Sequence, residues 1–279
     1  MKTLTLTLTL LLACFSFSFA EEEATWSELK GDHFIVYYNG DSSFPTEVLR
    51  NSEKYYKRIA RDLSYSRYSK FWQWDDRVKI YIYENQPDFV KLGNYPQWSE
   101  GIADYYKKAI YTYKGSEEFV TAILPHEITH LIFRDFVGLD NPSIPMWLDE
   151  GVAQWEEPKK RSIIRPALKD IYDNGKVMRL SDFMTYNIQM VNDTDKVRSY
   201  YIQAMSLVEF LMSKYGSDRF LGFCRDLRDG KEIERAFQSN YPTHIRNIEE
   251  LENKYVEWIG KIPAVRVREE MPVAAVHGE

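Results

Sequence analysis

The stretch LPHEITHLIF at residues 124–133 holds two histidines four apart, with a glutamate directly after the first. On an α-helix, positions i and i+4 lie one turn apart on the same face. His126 and His130 can therefore point two imidazoles at one metal ion, about 2 Å from each nitrogen. Glu127 is rotated by ~100° from His126, close enough to reach a water on that ion but not aligned to ligate. A zinc ion acidifies such a water towards a pKa of ~7, and a carboxylate that accepts its proton makes it a nucleophile. The spacing His-Glu-x-x-His thus describes Zn²⁺ as cofactor and Glu127 as catalytic base. A histidine pair on a helix is more often at the surface or satisfied in a core. Here both flank an apolar stripe of Ile and Leu, and burying two unpaired imidazoles there costs free energy unless something occupies them.

Two histidines are one ligand short of a catalytic zinc site. The metzincin continuation fails, because Phe133 and Phe136 stand where glycine and histidine would be needed. Downstream comes IPMWLDEGVAQWEEP, residues 144–158. Pro145 opens a helix with Trp147, Leu148, Val152 and Trp155 on its buried side, and Glu150 sits in its middle. A carboxylate in apolar surroundings calls for a partner, and Gly151 lets the helix approach another backbone closely. The bland alternative is a solvent-facing acidic pair, Asp149 and Glu150. Adjacent residues on a helix point ~100° apart, so only one of the two can face the ion. The longer side chain and its apolar setting select Glu150. Asp149 then remains free to accept a hydrogen bond from the distal nitrogen of a ligating histidine.

His126-Glu127-x-x-His130 followed by Trp147-Leu148-Asp149-Glu150-Gly151 resembles the gluzincin zinc metallopeptidases, specifically the bacterial peptidase MA-like metallohydrolases related to thermolysin and aminopeptidases. The resemblance spans His33 to about Gly216. It implies a zincin-like fold, a peptide or protein substrate, and Glu150 as the third zinc ligand beside His126 and His130. It also implies a tyrosine on the long later helix as hydrogen-bond donor to the transition state, at Tyr201 rather than Tyr200. From the residues alone, a tyrosine in that helical stripe is more often core. His33, His244 and His277 have no acidic partner at motif spacing and carry no assignment.

The chain must bring these segments together. HFIVYY at 33–38 is a β-branched and aromatic run, hence a strand, and RVKIYIY at 77–83 alternates as a second. Residues 46–63 have helical spacing behind Pro45. A short helix covers 87–92, and GIADYYKKAIYTY at 101–113 holds one or two more strands. From Ser116 the pattern turns helical: Ser116 caps, Glu117 and Glu118 suit the positive helix start, and the apolar stripe runs to Phe133. Pro125 lies inside this helix and frees the carbonyl of Thr121, so a kink or break is expected just before His126. Further helices are read over 145–158, 162–172, 195–215 (ended by Gly216), 220–227, 232–237 and 245–258. The expected fold class is α+β: an N-terminal α/β subdomain with a small sheet at 24–115, then a mainly helical subdomain carrying the metal site at 116–260. The tail at 261–279 is Pro- and charge-rich. A substrate would lie extended along an edge strand, for which GIADYYKKAIYTY is the best candidate because it directly precedes the motif helix.

Composition agrees with an ordinary globular chain: 279 residues, 44% hydrophobic, 28% charged and a formal net charge of −6, with no basic patch to suggest a nucleic-acid partner. Residues 1–20 read as a signal peptide: Lys2, an apolar run from Leu4, and Ser18-Phe19-Ala20 before an acidic mature end at Glu21. The expectation is an exported protein, periplasmic or extracellular, with no transmembrane span in the mature chain. Leu11-Leu12-Ala13-Cys14 resembles a lipoprotein box, and a lipid anchor at Cys14 is the alternative. After cleavage only Cys224 remains, in an apolar setting that makes it a buried small hydrophobe. Two rival functions stand beside the peptidase: a zincin-like envelope binding or assembly module that keeps the metal without turnover, and a metal-free helical scaffold. Glu127 argues against the first, since a structural metal site needs no base.

Overall fold

Alternation of apolar and polar residues builds the sheet. In the computed structural model, which describes residues 26–65, 72, 74–93, 99–116 and 118–263, five strands align in the order β1-β2-β3-β5-β4. These are β1 (Ser27–Lys30), β2 (Phe34–Tyr38), β3 (Val78–Tyr83), β4 (Gly101–Asp104) and β5 (Ala109–Tyr113). The three central strands β2, β3 and β5 run parallel, while β1 and β4 are antiparallel edges. One face is core: Phe34, Val36, Val78, Ile80, Ile82 and Ile110 are fully buried. On the other face Tyr37, Tyr81 and Tyr111 stack across the strands at 5.0 and 5.3 Å between ring centroids. The expected signal peptide, Cys14, Glu117, His277 and the tail beyond residue 263 lie outside the described residues.

Helices cover the core face and make up the second half of the chain. Helix α1 (Ser43–Asp62) joins β2 to β3, and α2 (Gln86–Gly93) precedes β4. After the sheet come α3 (Leu124–Val137), α4 (Met146–Trp155), α5 (Pro158–Asp173), a short α6 (Leu180–Phe183), α7 (Thr194–Tyr215), α8 (Ser217–Arg228), α9 (Ile233–Asn240) and α10 (Ile248–Gly260). The expected α+β class, with a small N-terminal sheet and a helical remainder, is what the structure has. No described helix is long and apolar enough to cross a membrane.

The structure corrects two local readings. The helix expected from Ser116 begins as a π-helical segment over Phe119–Ile123, and α3 proper starts at Leu124. Pro125 has no N–H for the carbonyl of Thr121, and the chain takes the wider register, with Leu124 N–H donating to the Phe119 carbonyl. Ser116 does not cap; its hydroxyl donates to Glu100 at 2.7 Å. The helix read to Pro158 stops at Trp155, because Pro158 instead occupies the first turn of α5, where its missing N–H costs nothing. The strand β1 and the helix α6 had no apolar run long enough to announce them.

Gly151 on α4 has the role its position suggested. A Cβ there would lie 2.6 Å from the backbone oxygen of Ala204 and 2.8 Å from Val208 Cγ2, so only glycine lets α4 pack this closely on α7. Gly101 does the same for the edge strand, where a Cβ would meet the Phe119 ring at 2.9 Å. The edge strand is thereby pressed against the segment that leads into α3.

Candidate metal centre

Helices α3 and α4 each contribute to one buried cluster. His126 Nε2 and His130 Nε2 lie 3.1 Å apart, one turn apart on α3. Glu150 Oε2 on α4 is 3.7 Å from the first and 3.8 Å from the second. Tetrahedral coordination at about 2.0–2.2 Å spaces ligand atoms ~3.3 Å apart, close to this triangle. Glu127 is fully buried beside it, and His126, His130 and Glu150 are all below a tenth exposed.

The outer nitrogens decide what the inner ones can do. His130 Nδ1 faces Asp149 Oδ1 at 3.0 Å, and His126 Nδ1 faces Glu157 Oε1 at 2.8 Å. A carboxylate accepts, so each neutral ring carries its hydrogen on Nδ1 and presents Nε2 as the acceptor. Two such acceptors then converge with Glu150 Oε2, a buried oxygen that accepts no hydrogen bond. Three acceptors facing one point repel unless a cation sits among them. Charge gives the same answer. Glu127, Asp149, Glu150 and Glu157 are balanced nearby by Arg134 on Asp149 (2.8 Å) and Lys160 on Glu157 (2.8 Å). Four carboxylates beside two cationic side chains make an acidic centre that favours a divalent ion. The donor set of two imidazoles and a carboxylate suits zinc. Without a metal a proton takes part of this role: burial alone would lower His130, but Asp149, through its charge and hydrogen bond, and then Glu150 and Glu127 push it up to about 9. Asp149, whose burial works the other way, is held well below the usual carboxylate range by His130 and Arg134.

Two tyrosines of α7 lie near Glu150. Burial, and then the Glu150 charge, raise both the Tyr200 and Tyr201 phenols. Tyr200 packs into an aromatic cluster with Phe183 at 5.0 Å and Tyr186 at 6.2 Å, and its hydroxyl is buried without a partner.

Four contributors had escaped the sequence reading. Arg134 lies four residues after His130, so the i+4 stripe of the two histidines already pointed to it. Glu157 gave no such signal, because α4 ends before it. Its place is fixed by Glu156, a fully buried carboxylate that Arg58 meets at 3.2 Å and Arg161 at 2.8 Å, pinning the α4–α5 junction to α1. Lys160 follows on the first turn of α5. Tyr105, just past β4, sets its ring edge-on to His130, with centroids 6.0 Å apart, and under the Arg134 guanidinium at 4.0 Å. Burial, and then the Glu127 charge, push its phenol well above the ordinary value. His33, left unassigned, bonds Glu53 from Nδ1 at 2.7 Å across 20 residues of sequence.

A model of the family described as the Peptidase MA superfamily matches residues 71–260, from just before β3 to the end of α10. That range starts and ends later than the 33–216 stretch on which the resemblance was read. No curated protein matches the chain. The matched range includes the motif helix, the acidic segment of α4 and the whole helical half; with well over half of its residues in that match, the chain belongs to the Peptidase MA superfamily.

Proposed function

We propose that the protein is an exported zinc metallopeptidase of gluzincin type, with His126, His130 and Glu150 as zinc ligands. The observation that carries this reading is the convergence of the His126 and His130 Nε2 atoms and a buried Glu150 oxygen within 3.8 Å of one another. When bound, zinc supplies a Lewis acid for the scissile carbonyl and lowers the pKa of water. Glu127 takes the proton of the attacking water and afterwards returns it to the leaving amine. Asp149 and Glu157 fix the tautomer of each imidazole. Tyr201 donates a hydrogen bond to the carbonyl oxygen as negative charge develops on it. Substrate lies extended along β4, an edge of the sheet among the described residues. Export rests on the charged, apolar and small-residue pattern of positions 1–20.

The test is Glu127→Gln in the zinc-loaded mature chain, assayed on a quenched fluorogenic peptide library. Zinc should stay bound while turnover falls ~10²–10⁴-fold, the usual contribution of a positioned base. Full activity in this variant, or loss of its zinc, contradicts the role given to Glu127. A zinc-loaded wild type that cleaves nothing while binding library peptides supports the binding module instead.

A further inference from the structure

We propose that Tyr105 is a second tyrosine of the reaction site, its hydroxyl donating a hydrogen bond to the bound peptide. The inference rests on the peptidase reading and extends it to a residue outside the motif. Its position is the first argument. Tyr105 follows Asp104, the last residue of edge strand β4, so a peptide lying along that strand passes its side chain. Its ring already touches the metal-facing machinery, edge-on to His130 at 6.0 Å and stacked under Arg134 at 4.0 Å. The guanidinium it supports is the one that holds Asp149, at 2.8 and 3.0 Å.

The second argument is that the turn is built to hold this side chain still. Lys107 N–H donates to Asp104 Oδ1 at 2.9 Å, and Lys108 takes a left-handed φ of 50° to close the hairpin. The neighbouring Tyr106, though 73% exposed, is tied by its hydroxyl to Asp140 in the α3–α4 loop at 2.5 Å. A pinned turn costs no reorganisation when charge develops, the condition under which one donor contributes most to a transition state. The third argument is the hydroxyl itself. Among the described residues the Tyr105 phenol makes no hydrogen bond, although its neighbours Tyr106 and Arg134 are both engaged. A donor on a fixed ring, near the charge of Glu127 and unspent, is available to a ligand.

Two substitutions separate the hydroxyl from the ring. Tyr105→Phe keeps the packing on His130 and Arg134 and removes the donor, whereas Tyr105→Leu removes both. The measurements are kcat and KM on a fluorogenic peptide cleaved by the wild type, zinc content, and calorimetric binding of a phosphinic peptide that mimics the tetrahedral geometry. Tyr105→Phe should lower kcat ~10²–10³-fold, the range for one such donor, with KM and zinc content unchanged. It should weaken the phosphinic peptide by a similar factor and leave the affinity for the product peptides as it was. Tyr105→Leu should in addition loosen zinc. Wild-type kcat and phosphinic-peptide affinity in Tyr105→Phe overturn the proposal alone, as does zinc loss in that variant. An inactive, zinc-loaded wild type overturns the peptidase reading beneath it.

Discussion

Two clusters among the described residues bring histidine and carboxylates within ligand distance, and they differ in where their polar atoms point. In Asp32–His33–Glu53, near the surface, Glu53 takes the backbone N–H of His33 with one oxygen and its Nδ1 with the other, both at 2.7 Å. The imidazole stacks on Tyr56 at 3.8 Å. There His33 and Glu53 satisfy each other. In His126–His130–Glu150 the carboxylates that partner Nδ1 stand behind the imidazoles, and both Nε2 atoms face inward with Glu150 Oε2. Composition does not separate the two, since each has histidine beside acid. What separates them is whether acceptor atoms converge on one point, as the two Nε2 atoms and Glu150 Oε2 do.

The largest effect that would test this contrast is at Glu150. Glu150→Ala removes a ligand and a negative charge, so zinc affinity should fall by more than the ~10–100-fold typical of an outer partner. Asp149→Asn should stay within that outer-partner range. Competitive chelator titration measures both. Wild-type affinity in Glu150→Ala together with a steep loss in Asp149→Asn would make Asp149 the third ligand.

The next effect is on pH dependence. His130 in the metal-free protein is raised from 6.5 to about 9, despite its burial, by Asp149 and its neighbours. A group raised on folding contributes stability that is fully present below the unfolded value and lost as pH rises through the folded one. The metal-free chain should therefore melt at a lower temperature at pH 9.5 than at pH 6.5. Zinc should remove most of that difference and release about one proton on binding near pH 7, read by calorimetry in buffers of different ionisation heat. A flat melting profile without metal contradicts the pairing of His130 with Asp149.

A smaller change is expected from Gly151→Ala. The added methyl would press on the Ala204 carbonyl, and overpacking of this kind costs about 1–3 kcal/mol in denaturant unfolding. Because Glu150 is the adjacent residue, zinc binding should weaken as well. The smallest effect belongs to the other cluster. His33→Ala should leave zinc content unchanged and cost about 1 kcal/mol or less, the value of a partly exposed pair.

Much of this centre could be read before any coordinates, for physical reasons that also explain what could not. The i, i+4 spacing of His126 and His130 is a property of helical geometry, and Glu150 with Gly151 stood out as a charge and a glycine inside an apolar helix. Pro125 announced a break, though not that a π-helical segment would absorb it. The residues that hold these side chains in place were less visible. Glu157 and Tyr105 reach the site through a helix junction and a hairpin turn, where no periodicity relates them to the histidines. The Glu53 partner of His33 comes from α1, a contact that only the tertiary fold creates. Edge strand β1 reads as polar because half of its surface needs no core.

The most direct measurement of the central claim is anomalous diffraction at the zinc absorption edge from crystals of the zinc-loaded chain. The account predicts one peak per chain, about 2.0–2.2 Å from His126 Nε2, His130 Nε2 and an oxygen of Glu150. A peak at Asp32–His33–Glu53 instead, or none at the α3–α4 cluster after zinc soaking, would contradict it.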